Sequence, residues 1–292
     1  SRCLRLNSIP TKLLSVNQIV TFLTAPNFED PADAGEDNQY NLQVTVTDST
    51  GTPDVQDITI TVTNEIEAAT TFVVTTLADE AFGGGSLTDE QADGNGLSLR
   101  EAIALAGAND NDAGTTGTIV FAGDAAEAAG ETLLDADGNT VTGDTGTIAL
   151  TNGELLLDSS LTIDGDRNND GTPDITIDAQ GNSRVFNIND GGNRRFSTVT
   201  IEGLTITGGA TASNESGGGI YNREDLTISK SIISGNSAGS GGGGVFNNYT
   251  NTASIRNSTI SGNSATLGWE IFSEYTTATI SDSTINGNSA SR

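Results

Sequence analysis

Four segments decide the fold: Thr200–Gly208 (TIEGLTITG), Thr227–Gly235 (TISKSIISG), Ser254–Gly262 (SIRNSTISG) and Thr279–Gly287 (TISDSTING). Laid under one another, they share two apolar columns. One is Ile201, Ile228, Ile255 and Ile280; the other is Ile206, Ile233, Ile260 and Ile285. The steps are 27, 27 and 25 residues in both columns. A third column, Ile220, Val245 and Ile271, has steps of 25 and 26. Three apolar columns per period predict three strands per coil, each coil lying on the last at about 4.8 Å per rung. No coil can bury its own apolar face, so stability comes from the neighbours. The turns repeat as well. Ser234–Ala238, Ser261–Ala265 and Asn286–Ala290 bring Asn236, Asn263 and Asn288 into register. Gly supplies positive φ there, and stacked Asn amides can bond along the ladder.

Composition agrees with a repetitive β-structure. Of 292 residues, 36 are Gly and only 5% are aromatic. Asn, Asp and Gly make tight turns, while Thr and Ile fill strands. The net charge is −27, with 12 Lys and Arg in all, which disfavours nucleic-acid and anionic-membrane partners. Such acidity suits an exported surface and divalent cations. Cys3 is the single cysteine, so no intrachain disulfide can form. No apolar run is long enough to span a membrane. The chain has no Met and no usable secretory leader, and it reads as a fragment of a longer exported protein.

Upstream, residues 1–16 carry no assignable pattern. Residues 17–68 read as strands: Asn41–Asp48 (NLQVTVTD) and Asp57–Thr63 (DITITVT) alternate with period two around a Gly-Thr-Pro turn. Two strands cannot make a stable sandwich alone. The stretch resembles the second half of a bacterial cadherin-like repeat, through Ala25–Glu29 (APNFE), Asp37–Tyr40 (DNQY) and Val44–Asp48 (VTVTD). The resemblance implies an interdomain calcium site. Here Asn27 stands where Asp is usual, Glu29 is kept, and the linker reads Asn64–Glu67, so that site is eroded.

Residues 69–292 hold the stronger signal. Phe72–Glu80 (FVVTTLADE) followed by Gly96–Ile103 (GLSLREAI) resembles the CSLREA-type N-terminal module that precedes β-helix repeats in bacteria. Ser183–Phe186, Ile201–Gly209, Gly218–Asn222 and Ser258–Ala265 are similar to its downstream repeats and to those of polymorphic outer-membrane proteins. The resemblance implies an all-β, right-handed single-stranded parallel β-helix with an N-terminal capping helix, preceded by a partial β-sandwich segment. It also implies a secreted or cell-surface protein of adhesin type. The helix is expected over Leu97–Ala108, with Arg100 and Glu101 as structural charges. Leu97 sits where the family has Cys, so packing alone must hold the helix.

The sharpest local motif is Asp164–Asp174 (DGDRNNDGTPD). Asp166, Asn168, Asp170, Thr172 and Asp174 alternate in a tight loop around Gly171, and alternate residues can point oxygens inward at a calcium ion. An EF-hand's final Glu is missing, with Ile177 in its place; the pattern resembles the DxDxDGxxD loops of thrombospondin type 3 repeats. Asp164 or Asp178 could complete the shell. The competing reading is a solvated acidic turn, which is also the reading favoured for Asp135–Asn139.

Enzymes use this fold too. The chain has no His, which removes His-dependent triads and His-ligated zinc. Glu202, Glu215, Glu224, Asp225 and Asp282 are scattered and form no column. Arg167, within the acidic loop, is the one candidate for a lyase-type base. Leu267–Tyr275 interrupts the repeat and places the only Trp, Trp269, beside Glu270 and Glu274, a candidate glycan contact. The sequence therefore reads as a non-enzymatic, calcium-stabilised surface module. Its expected partners are host, matrix or cell-surface glycans or proteins, and its own open end, which favours self-association. A carbohydrate-active or glycan-binding β-helix is the alternative.

Overall fold

A computed structural model of the chain describes residues 39–47, 51, 53–61, 71–92, 94–113, 116–123, 131–191, 197–248, 252–267, 269–274 and 276–291. The chain divides into two compact units, Ser1–Ile66 and Glu67–Arg292. Residues 1–16, Asn27, Glu29 and the linker Asn64–Glu67 lie outside the described residues.

In the first unit, Gln39–Thr47 pairs antiparallel with Pro53–Thr61, Tyr40 opposite Ile60 and Leu42 opposite Ile58. The two expected strands are present, each shifted toward the N-terminus by a few residues.

The second unit is a parallel β-helix. Its first sheet stacks seven strands in chain order: Thr71–Val74, Gly117–Phe121, Leu161–Asp164, Thr198–Glu202, Asp225–Ser229, Thr252–Arg256 and Thr277–Ser281. The second stacks six, from Gly146–Ala149 through Ile175–Asp178 to Thr284–Asn286. The third stacks five, from Leu155–Leu157 to Ile271–Glu274. The register reproduces all three apolar columns: Ile201 pairs with Ile228, Ile206 with Ile233, and Ile220 with Val245. These side chains are fully buried, and each contributes roughly 1.5–3 kcal/mol by leaving water.

Three polar ladders run along the edges between the apolar columns. Between the first and second sheets, Leu204 N–H donates to Ser231 Oγ, Ser231 N–H to Ser258 Oγ, and Ser258 N–H to Ser283 Oγ, at 3.1–3.3 Å. After the second sheet, Asn236 N–H and Nδ2 both donate to Asn263 Oδ1 at 3.0 Å, and Asn263 repeats this with Asn288. After the third sheet, Asn222 Nδ2 donates to Asn247 Oδ1 at 2.7 Å. The backbone must leave the strand conformation at each corner, which frees amides that side chains then satisfy. At the second corner Gly208, Gly235, Gly262 and Gly287 take φ between 60° and 67°. The Ser-Ala pairs that follow the last three form a short fourth sheet, which the repeat pattern does not reveal.

The end of the β-helix at residues 71–121 is covered by the helix Leu99–Ala113. It begins two residues later than expected, because Ser98 and Glu101 form a reciprocal capping box. Ser98 N–H donates to Glu101 Oε2 at 2.8 Å, and Glu101 N–H to Ser98 Oγ at 3.4 Å. Leu99, Ala102, Ile103 and Ala106 pack on Phe72, Ile119 and Leu155, and Leu97 is fully buried beside them. Gly117 permits the close approach, since a Cβ there would lie 2.9 Å from Ala106 Cβ.

Candidate metal site in the 164–174 turn

The turn leaves the first sheet at Asp164 and enters the second at Ile175. Asp166 and Asp174 are buried at its base, while Asn168, Asp170 and Thr172 are exposed at its tip. Asp166 Oδ1 accepts the Asp170 N–H at 3.0 Å and Oδ2 accepts the Gly171 N–H at 2.9 Å. Asp174 Oδ2 accepts the Asn168 N–H at 3.3 Å. Asp170 Oδ1 accepts both the Thr172 N–H at 2.8 Å and its hydroxyl at 2.5 Å. Those Thr172 bonds hold the Asp170 carboxyl below its ordinary range, whereas burial pushes Asp174 up. Asn169 and Gly171, with φ of 56° and 84°, make the sharp bend.

The five candidate ligands thus share one small turn, though each carboxylate is already bonded to loop amides. Among the described residues no three acidic side chains gather as a ready metal-holding group. The donor set of three carboxylates, an amide and a hydroxyl is oxygen-rich, as calcium requires. A cationic group already sits at its base: Lys230 Nζ lies 3.6 Å from Asp166 Oδ2 and 2.7 Å from Glu202 Oε1. Its bond to Glu202 pushes the Lys230 amine above its ordinary value. The donor types are those a hard cation takes, but the described side chains are not grouped to hold one.

Arg167 has a different task. Its Nε and Nη2 donate to Ala122 O at 2.9 and 2.6 Å, and Nη1 donates to Gly143 O and Asp144 O at 3.0 and 2.5 Å. The guanidinium is spent on carbonyls of the preceding coil. Asp135 is a turn former as expected, accepting the N–H groups of Asp137 and Asn139 at 3.0 and 2.8 Å.

The register brings Asp164 beside Glu202 on adjacent coils. Sequence reasoning missed this pair because the corner before Asp166 falls outside the four aligned repeats. It also missed an outward aromatic column on the third sheet. Tyr221 stacks on Phe246 and Phe246 on Phe272, each pair 5.5 Å between centroids and within 11° of parallel. Arg184 lies 5.3 Å from the Tyr221 centroid. An open cleft of about 300 Å³ beside the column is lined by Phe246, Phe272, Leu267, Ser216, Ser240 and Glu274. Of the expected glycan contacts, Glu274 lines this cleft, whereas Trp269 is 70% exposed and does not.

Comparisons with protein-family models, with curated proteins and with solved structures returned no match to this chain.

Proposed function

We propose that this chain is a non-enzymatic structural module of a secreted or cell-surface protein of adhesin type. It is a CSLREA-like capped β-helix, following a cadherin-like segment, whose work is to hold a surface rigidly rather than to do chemistry. The observation that carries this reading is where the buried charges go. Arg100, Glu101 and Arg167 each bond backbone groups, and the two arginines tie segments distant in sequence. Calcium at Asp166, Asn168, Asp170, Thr172 and Asp174 would add a further tie between the first two sheets. When bound, the ion would neutralise carboxylates that otherwise repel one another in a chain of net charge −27. Partners would be glycans or proteins of host, matrix or neighbouring cells, or a second copy of the chain.

The experiment is a calcium titration by calorimetry, with thermal melts in calcium and in chelator. Calcium should raise the melting temperature of the wild type and leave the double variant Asp166→Ala, Asp170→Ala unmoved. Equal melts for the wild type in both buffers would remove the metal from the reading. Release of new reducing ends or unsaturated products from polysaccharides would overturn the non-enzymatic assignment.

The aromatic column favours a second reading, a glycan-binding module. Aromatic rings beside hydroxyls and a carboxylate suit the apolar faces and hydroxyls of a sugar. Loss of oligosaccharide binding in Phe272→Ala, but not in Trp269→Ala, would support it.

A further inference from the structure

We infer that the cleft beside the aromatic column takes an amine-bearing sugar, with Glu274 holding its ammonium and Phe246 and Phe272 packing against its apolar face. The inference rests on the glycan-binding reading above and names the class of sugar.

The cleft exists because one wall residue carries no side chain. A Cβ at Gly241 would meet Leu267 O at 3.1 Å, Phe272 Cγ at 3.5 Å and Phe246 Cδ2 at 3.6 Å. Any larger residue would fill the space between the rings and residue 267. The wall is also fixed. Gly241 N–H donates to Ser216 Oγ at 3.3 Å, Gly217 N–H to Gly241 O at 3.0 Å, and Leu267 N–H to Ser240 O at 2.9 Å. Phe246 is stacked between Tyr221 and Phe272, so the rings cannot turn without breaking the column. The site is therefore preformed, which lowers the ordering cost of binding. Its volume of about 300 Å³ lies at the small end of ligand sites and suits about one sugar unit.

Charge selects among sugars. Glu274 follows Phe272 by two residues on one strand, and so lies on the same face of the sheet. It is half-buried, and among the described residues its carboxylate has no hydrogen-bond or ion-pair partner. Arg184 shows the contrasting case within the column. It lies 5.3 Å from the Tyr221 centroid and pairs with Glu154 Oε2 at 3.0 Å and Glu215 Oε2 at 3.8 Å. There the chain supplies its own cation to ring and carboxylate; beside Phe272 it supplies none. A lone carboxylate in a chain of net charge −27 repels acidic sugars. It gains most from an ammonium, whose charge-assisted hydrogen bonds are the strong ones. Ser216 and Ser240 line the same cleft and suit the sugar's hydroxyls. A hexosamine without its acetyl group combines an apolar ring face, hydroxyls and an ammonium. A lysine side chain offers the ammonium alone.

The test uses the whole chain as wild type, Glu274→Gln and Gly241→Val. Each is titrated calorimetrically with tetraglucosamine, its fully N-acetylated counterpart and tetralysine, at mildly acidic pH where the sugar amines are charged. Wild type should bind tetraglucosamine about tenfold more tightly than the acetylated tetramer, and Glu274→Gln should bind the two alike. Gly241→Val should bind neither, with thermal melts showing that it stays folded. Glu274→Gln changes the net charge by one, so general attraction of a polycation to the acidic chain survives it. Tetraglucosamine held equally by wild type and Glu274→Gln would therefore overturn the inference. Equal affinity of wild type for both sugar tetramers, lost in Gly241→Val, would overturn selection by the amine and leave the glycan reading standing. Tetralysine bound through Glu274 with neither sugar bound would assign the cleft to basic peptides and overturn both, as would no binding at all.

Discussion

Arg100 and Asp79 meet in a two-point ion pair, Nε to Oδ1 at 2.7 Å and Nη2 to Oδ2 at 3.1 Å. Arg100 also donates to Glu154 O and Gly153 O at 2.9 and 2.8 Å, and Asp79 Oδ2 accepts the Thr151 and Asn152 N–H groups at 2.7 and 2.8 Å. One pair thus fastens the cap helix, the segment before it and the turn at 151–154. The Ser-Leu-Arg-Glu run has a physical reading: Ser98 and Glu101 start the helix, and Arg100 anchors it.

Arg100→Ala should cost about 3–5 kcal/mol, because it leaves a buried carboxylate without its cation. Arg100→Lys should recover little, since an ammonium cannot bond two carboxylate oxygens and two carbonyls in one plane. Urea denaturation followed by circular dichroism measures both. A loss below about 1 kcal/mol for Arg100→Ala would mean that the cap is held by apolar packing alone.

Arg167→Ala should destabilise by about 2–4 kcal/mol, since three carbonyls lose their donor in a buried setting. Arg167→Lys should be intermediate. The same melts in calcium should show a similar loss, because the guanidinium faces the carbonyls and not the turn's carboxylates. A loss seen only in calcium would instead assign Arg167 to the metal shell.

Asn263→Ala should cost about 2–3 kcal/mol by stranding the Asn236 N–H and one of the two Nδ2 protons, the other staying on Ile206 O, and by removing the Asn263 bond to Ile233 O. Asn288→Ala, at a partly exposed rung, should cost less. Equilibrium denaturation of the two variants checks the order; a reversal would show that water does not substitute at Asn288.

Stability should rise as the solution is acidified from neutral toward the ordinary carboxyl range. Burial raises the carboxyl pKa of Asp174, and burial together with Asp190 raises that of Glu224. A carboxyl raised in the fold contributes stability that is full below its unfolded pKa and lost as pH climbs through its folded one. The net charge of −27 shrinks in the same direction. Asp89, Asp135 and Asp170 are shifted down by bonds in their own turns and oppose the trend below the ordinary carboxyl range, where stability should fall again. Differential scanning calorimetry in chelator follows the profile, and a steady decline on acidification would refute it.

The repeat itself was legible in the sequence. Ile201, Ile228, Ile255 and Ile280 recur at near-constant spacing because each coil must bury the same face on its neighbour, and that demand is written in residue type. The Asn236–Asn263–Asn288 ladder was legible for the same reason. The acidic turn was visible as a composition, since a tight oxygen-rich loop has a short-range signature. What the tertiary structure alone decided is what meets across coils. Lys230 against Asp166, Arg167 on Ala122 and Arg100 on Asp79 join residues 64, 45 and 21 positions apart. The aromatic column of Tyr221, Phe246 and Phe272 is likewise spread over three coils. Local pattern fixes which side chains face inward, but partners on the outer face and at the corners depend on register. Register is set by the whole stack of strands, and a shift of one residue would turn each of these side chains to the other face.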